Sequence, residues 1–157
     1  SGPPMLPILY NSNYQIVQTE GYVMILVEMV HDARIIPIDK SHHSTHFEKW
    51  MGDSVGYWEG DTLVVKTQNF HSQQSFRGSS DQLVITERFS LQNEGKIKYA
   101  FTLEDPVSYR QPWTGEIAMN RKPAGELMYE YACHEGNYAF HGIMAGARRQ
   151  ELDQVEP

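Results

Sequence analysis

Residues 133–137 are the densest concentration of reactive side chains in the sequence. They place a thiol, an imidazole, a carboxylate and a carboxamide at the end of an aromatic-rich segment, residues 127–138, which we expect to form a strand. His134 with Glu135 is a candidate acid–base pair. Adjacent strand residues point to opposite faces, so Cys133 and His134 are a poor dyad, and Cys133 is expected in the core.

Glu87 is a carboxylate on the apolar face of its predicted strand, between Ile85 and Phe89. A carboxylate inside a core must be paired, hydrogen-bonded or protonated. Two interpretations stay open. Glu87 is either a pocket carboxylate that acts as acid or base, or the partner of an internal ion pair with Arg34 or Arg77.

Residues 22–38 are predicted to form the strongest strand, apolar in its first half and polar in its second. Alternation places Glu28, Asp32 and Arg34 on one face and His31 on the other. This polar half is either the mouth of a binding pocket or ordinary polarity at a strand end.

A loop with three histidines, His42, His43 and His46, raises the alternative of a metal site. Histidine with carboxylate ligands suits zinc or iron. The loop lacks a spacing motif such as His-Glu-x-x-His. We therefore expect no metal and no other cofactor.

The framework that positions these groups is a series of about eight strands, separated by turn signals and joined mostly by hairpins. This pattern predicts an all-β fold in one domain, residues 1–157: an antiparallel up-and-down barrel, lipocalin-like by analogy. Residues 1–12 are expected to be an extended arm, and residues 142–157 a tail with a short helix at 145–152. A barrel of this size can hold one small ligand.

The composition disfavours two classes of partner and rules out a membrane-spanning run and an internal disulfide. The net charge is −7, with 13 basic and 20 acidic residues, which disfavours binding to nucleic acid or to an anionic membrane. The longest apolar run is far too short to cross a bilayer. Cys133 is the only cysteine, so no intramolecular disulfide can form.

The chain carries a set of motifs that are specific together: Trp50-Met51-Gly52-Asp53-Ser54, Trp58-Glu59-Gly60-Asp61-Thr62-Leu63-Val64-Val65, Thr86-Glu87-Arg88-Phe89, Glu104-Asp105-Pro106, Pro112-Trp113-Thr114 and Cys133-His134-Glu135-Gly136-Asn137-Tyr138. This set resembles a group of uncharacterised bacterial proteins, usually predicted to be exported, for which no activity is established. The resemblance implies a periplasmic or secreted location. The matching positions include Asp53, Glu135 and Asn137, which become substrate-binding candidates.

We expect an enzyme that uses acid–base chemistry inside the barrel on a small organic or sugar-like substrate, of lyase, hydratase, isomerase or hydrolase type. The catalytic candidates are His134, Glu87, Glu28 and Tyr99. The substrate-binding candidates are Arg34, His31, Trp113, Tyr131, Glu135, Asn137 and Asp53.

Three alternatives stay open. The barrel could be a non-catalytic binding protein for an apolar or aromatic ligand. It could be a metal-assisted hydrolase or lyase that uses the histidines. It could also have a scaffold role, with the arm and the tail packing on a second chain in a homodimer.

Overall fold

The computed structural model describes residues 2–7, 10, 12–43, 47–132 and 135–155 of the chain. Within these residues lie eight strands, one 3₁₀ turn and one helix. They are β1 (Tyr14–Thr19), β2 (Tyr22–Val27), the 3₁₀ turn (Met29–His31), β3 (Ala33–Pro37), β4 (Asp53–Glu59), β5 (Thr62–Gln68), β6 (Val84–Asn93), β7 (Lys96–Glu104), β8 (Trp113–Asn120) and α1 (Ala139–Val155). The sequence predictions for His46, Cys133 and His134 fall outside the described residues.

The strands follow one another in chain order as an antiparallel meander. β1 to β3 form a three-stranded sheet and β4 to β8 a five-stranded sheet. A parallel bridge between Ile38 and Gly56 links the end of β3 to β4. The prediction of a mostly β chain with a C-terminal helix is confirmed. Among the described ladders the two sheets end at β1 and β8, and no closed barrel is found.

The single strand predicted over residues 22–38 is wrong, because the chain reverses in its middle. The backbone N–H of Val27 donates to the carbonyl of Asp32 at 2.9 Å and closes the turn between β2 and β3. Val30 and His31 adopt the left-handed backbone region, with φ of 67° and 47°. Glu28, His31 and Asp32 therefore lie in or beside a turn, whereas Arg34 lies in β3 and is buried. Of the turn residues, Glu28 is buried and His31 is exposed.

The strand predicted over residues 127–138 is also wrong over its described part. Residues 127–132 are irregular, and the side chains of Leu127 and Tyr129 are 64% and 71% exposed. Alternating aromatic residues favour a strand only where a neighbouring strand completes the ladder. The helix α1 begins at Ala139, earlier than predicted. No helix in the described part of the chain is long and apolar enough to cross a bilayer.

The core lies where the inner faces of the strands meet. Its buried apolar side chains include Val23, Ile25, Ile36, Val65, Ile85, Phe101 and Leu103. The alternation predicted for β6 is confirmed, since Ile85, Glu87 and Phe89 are all buried. A period of two along this strand places every second side chain against the opposite wall.

The N-terminal arm enters this core. Pro3, Pro4 and Met5 are buried, and Leu6 packs against the core from its edge. The backbone N–H of Met5 donates to the hydroxyl of Tyr99 at 2.9 Å. The arm therefore fills part of the interior space that the sequence assigned to a ligand.

Candidate functional site

Three of the predicted interior residues converge: Arg34 from β3, Glu87 from β6 and Tyr99 from β7. Arg34 Nη1 and Nη2 donate to Glu87 Oε1 at 3.1 Å and to Oε2 at 2.6 Å. The Tyr99 hydroxyl donates to Glu87 Oε1 at 2.8 Å. Arg34 Nη2 also donates to Ser54 Oγ at 3.2 Å and to Thr67 Oγ1 at 3.3 Å. The internal ion pair with Arg34, one of the two interpretations of Glu87, is therefore present.

The Arg34–Glu87–Tyr99 network is closed to solvent. Glu87 and Tyr99 have no exposed surface, and Arg34 is 3% exposed. Burial raises the pKa of Tyr99 well above its usual range, and the Glu87 carboxylate adds to the effect. Burial alone would lower the pKa of Arg34, but the same carboxylate outweighs it, so the pKa is raised. A substrate could reach this network only after neighbouring side chains move.

Glu28 and His31 lie at the turn between β2 and β3. The Glu28 carboxylate accepts a hydrogen bond from Asn13 Nδ2, and the Glu28 backbone N–H donates to the Asn13 carbonyl at 3.0 Å. His31 is exposed. These contacts pair Glu28, one of the catalytic candidates, with Asn13, the residue before β1.

Trp113 belongs to an aromatic cluster of the core. Its ring centroid lies 5.9 Å from Phe101, 6.3 Å from Tyr109 and 6.2 Å from Phe76. The side chain is half-buried at the start of β8. Its packing role follows from these three ring contacts.

The remaining predicted residues of the C-terminal segment are spread along it. The hydroxyl of Tyr131 lies 3.0 Å from that of Tyr10 in the N-terminal arm. Glu135 and Asn137 are exposed, and Asn137 Oδ1 accepts from the backbone N–H of Ala139 at the start of α1, at 3.2 Å. Tyr131 thus contacts the N-terminal arm, whereas the contact of Asn137 is local to the start of α1.

Asp53, at the start of β4, is the centre of a second cluster, at the surface. Its Oδ1 accepts from His43 Nδ1 at 2.8 Å and from Lys49 Nζ at 2.7 Å. Its Oδ2 accepts from the His43 backbone N–H at 2.8 Å and faces His42 Nδ1 at 3.3 Å. One carboxylate therefore receives two imidazoles, one ammonium and one backbone N–H.

The two histidines differ in accessibility. Because an ionised carboxylate can only accept, each Nδ1 that it contacts carries the proton, and Nε2 keeps the lone pair of the neutral ring. His42 Nε2 is buried and has no hydrogen-bond partner in the described part of the chain. The His43 side chain is 55% exposed, whereas Asp53 is 2% exposed. His43 is therefore the ring whose basic nitrogen a substrate can approach.

The surroundings of Asp53 keep its carboxyl group ionised. Burial alone would raise the pKa of Asp53, but hydrogen bonds from the Lys49 ammonium and from the backbone and ring of His43 outweigh it. The pKa of this carboxyl is held well below its usual range. Asp53 thus remains an anion at any pH at which a histidine could act as a base.

The histidine loop, which we define as residues 39–48, is fixed at both ends. The Asp39 backbone N–H donates to the Gly56 carbonyl at 2.9 Å, beside the bridge from Ile38 to Gly56. Immediately after the loop, Lys49 forms a second parallel bridge with Phe70. These contacts tie the loop to the five-stranded sheet, so His43 is carried by a loop with anchored ends.

Gly52 allows the tight turn that brings the side chains of Lys49 and Asp53 into contact. Its φ is 73°, a region that favours glycine, and its N–H donates to the Lys49 carbonyl at 3.0 Å. An added Cβ would lie 2.6 Å from Thr67 Cγ2 and 2.8 Å from Phe70 Cε1. Glycine is therefore required here by both conformation and space.

Sequence reasoning identified Asp53 but missed His43 and Lys49 as its partners. The histidines were considered only as metal ligands. A usable signal was present, because a lysine four residues before an aspartate with glycine between them suits a tight turn that brings the charges together. The contact between His43 and Asp53 depends on how the histidine loop is anchored to the sheet, and no local sequence pattern indicates it.

The metal alternative receives no support from the donor geometry. Within the described residues no group of three or more His, Cys, Asp and Glu side chains is arranged to hold a metal ion. The Lys49 ammonium, 2.7 Å from Asp53 Oδ1, also opposes a cation at that carboxylate.

Comparison with known proteins found no match: no family model, no curated protein and no solved structure is similar to this chain.

Proposed function

We propose that this protein is an acid–base enzyme that acts on a small organic or sugar-like substrate at the His43–Asp53 pair. The observation that carries the proposal is the hydrogen bond of 2.8 Å between His43 Nδ1, on a side chain that is 55% exposed, and the buried carboxylate of Asp53. A buried carboxylate orients an imidazole and sets its tautomer, which leaves Nε2 free to accept a proton.

The surroundings of His43 suit this role. The ring of Phe47 stacks on it with centroids 5.1 Å apart, which limits its rotation. Lys49 Nζ, held by Asp53, supplies a nearby positive charge that can stabilise a developing anion. Elimination, hydration, isomerisation and hydrolysis each need a placed base and a stabilised anion, so all four remain within the proposal.

Two active-site variants and one control test the proposal. His43→Ala and Asp53→Asn should each lower kcat by about 10²-fold or more, the usual contribution of general base catalysis, on any substrate that is turned over. His141→Ala removes an exposed histidine of α1 and should leave kcat unchanged. The screen covers activated esters, glycosides and β-hydroxy acids. Absence of turnover in every class, or activity unchanged in His43→Ala, contradicts the proposal.

A non-catalytic binding protein is the second candidate, and the core favours it. The buried network of Arg34, Glu87 and Tyr99 faces an apolar interior, and Met5 of the arm occupies the space next to Tyr99. A ligand that displaced Met5 would find a hydroxyl ready to hydrogen bond and apolar walls around it. Native mass spectrometry of the purified protein would reveal such a ligand as added mass, and its absence counts against this candidate.

We also propose that the eight strands form an open, barrel-like shell. The support is the unbroken meander order and the parallel bridge between Ile38 and Gly56, which joins the two sheets edge to edge. An up-and-down barrel has the same strand order.

A further inference from the structure

An open cleft of about 360 Å³ lies beside the histidine loop. One wall is Glu48, the last residue of the loop. The opposite walls are the end of β5 with the residues after it, 68–70, and the chain that enters β6, 81–84. In the described part of the chain, none of the residues predicted for the site lines this cleft, and the His43–Asp53 pair lies outside its lining.

The cleft adjoins His43 through one direct hydrogen bond. Asn69, which lines the cleft, donates from Nδ2 to the carbonyl of His43 at 3.3 Å. The Lys49 backbone N–H donates to the Asn69 carbonyl at 3.1 Å. Glu48 Oε2 accepts from the backbone N–H of Ser72 at 3.2 Å. The lining residue Asn69 therefore lies between the backbones of His43 and Lys49, two of the partners of Asp53.

The polar lining has a distinct chemistry. It consists of two carboxylates, Glu48 and Asp81, and three carboxamides, Gln68, Asn69 and Gln82. Among the described residues that line the cleft there is no cationic side chain, and the two carboxylates repel an anionic ligand. Carboxylates accept from hydroxyl groups, and a carboxamide both donates and accepts, which matches the alternating demands of neighbouring hydroxyls.

The base of the cleft is apolar. Phe70 and Leu83, which are 3% and 2% exposed, line it together with Val84. Aromatic and aliphatic side chains of this kind suit the C–H face of a sugar ring.

We propose that the cleft binds a neutral saccharide unit and presents it to His43. The presenting step rests on the function proposed above; binding in the cleft does not. Carboxylates and carboxamides at the walls recognise hydroxyl groups, and Phe70 with Leu83 packs against the apolar face of the ring.

Binding is measured on full-length His43→Ala, so that turnover cannot consume the probe. The probes are cellobiose, maltose and N,N′-diacetylchitobiose as neutral disaccharides, glucuronate as an anion and spermidine as a cation. Saturation-transfer NMR and calorimetry should detect at least one neutral disaccharide and neither charged probe.

Matched variants locate the binding. Gln82→Ala should raise the Kd about three- to tenfold, the effect of one or two hydrogen bonds, and Asp81→Ala, at another lining residue, should raise it by a similar factor. Gln18→Ala removes an exposed glutamine of β1, away from the cleft, and should leave the Kd within about twofold. Circular dichroism of each variant confirms that it is folded.

The outcomes separate this inference from the proposed function. Binding of spermidine alone, or of no probe, overturns the saccharide inference, as does equal weakening by Gln18→Ala and Gln82→Ala. If a disaccharide binds both native protein and His43→Ala, neither converts it, and no substrate class of the screen is turned over, the cleft inference stands and the acid–base proposal fails. If His43→Ala abolishes turnover of a substrate that Gln82→Ala binds normally, the cleft inference fails alone.

Discussion

The Arg34–Glu87 ion pair places two opposite charges inside the core. Both charges are taken out of water, and their attraction compensates only because the geometry is bidentate and Tyr99, Ser54 and Thr67 satisfy further hydrogen-bonding groups. Such a pair contributes little compared with apolar side chains of the same size, but the loss of one partner leaves a buried charge alone. This asymmetry makes the pair testable by stability.

Glu87→Gln should lower the free energy of unfolding by about 3 kcal/mol, because Arg34 then keeps its charge without a carboxylate. The double variant Arg34→Met, Glu87→Met should recover at least half of that loss. Denaturant unfolding monitored by tryptophan fluorescence measures both. Glu116→Gln, which breaks the exposed pair with Lys98, is the control and should not shift the midpoint. If Glu87→Gln unfolds at the same denaturant concentration as the native protein, the Arg34–Glu87 pair does not stabilise the fold.

The turn at residues 49–52 is the element on which the Asp53 cluster depends. Gly52→Ala should lower the free energy of unfolding by about 1–3 kcal/mol, since the new Cβ meets Thr67 and Phe70 and the backbone stays at positive φ. NMR shifts of the His43 ring should change as well, because Asp53 moves with the turn. Gly60→Ala is the comparison: it has positive φ and no atom within 4 Å of the added Cβ. Equal losses in the two variants would show that the space around Gly52 is unimportant.

The N-terminal arm contributes to the core through one side chain above all. Met5→Ala should cost about 2–3 kcal/mol of unfolding free energy, because Met5 is 2% exposed and its removal leaves a cavity next to Tyr99. Pro7→Ala, at an exposed position of the same arm, should cost far less. The midpoint of thermal unfolding, measured for each variant, gives the difference in stability between them. An unchanged midpoint for Met5→Ala would mean that the arm leaves the core in solution.

At the scale of the whole molecule, buried acidic groups connect separate parts of the chain. Asp105 accepts hydrogen bonds from the Ser80 backbone at 2.6 Å and hydroxyl at 2.8 Å, and from the N–H groups of Val107 and Ser108 at 3.0 and 3.1 Å. It thereby ties the connection before β6 to the one after β7. Burial would raise its pKa, but these hydrogen bonds outweigh that effect and lower the pKa to about 2.

The stability of the fold should therefore fall in acid. The pKa values of Asp53 and Asp105 are depressed in the folded state, so the unfolded chain binds more protons at low pH. The contribution of Asp105 is complete above its unfolded pKa of roughly 4 and is lost as the pH falls towards about 2. Urea unfolding at pH 6, 4, 3 and 2 should show this decline, and Asp105→Asn should flatten it. A decline of the same steepness in the variant would assign the effect to other carboxylates.

Short-range patterns in the sequence predicted local structure well where two adjacent strands pair in a hairpin. The alternation around Glu87 and the turn signals between β4 and β5 and between β6 and β7 are found as expected. The same reasoning failed for residues 127–132, which alternate as a strand does but are irregular. Whether an extended segment becomes a strand depends on its neighbours, which the segment itself does not encode.

Local sequence patterns were sufficient to predict the mostly β character, the approximate number of strands and the burial of the Glu87 carboxylate. Periodicity and turn chemistry act over a few residues, so both are visible in the sequence. Local patterns do not show that Arg34 neutralises Glu87, that Met5 fills the space beside Tyr99, or that Asp53 contacts His43. Each of these contacts joins residues brought together by the packing of whole elements, and burial then decides which charged groups are enclosed and which are open to a substrate.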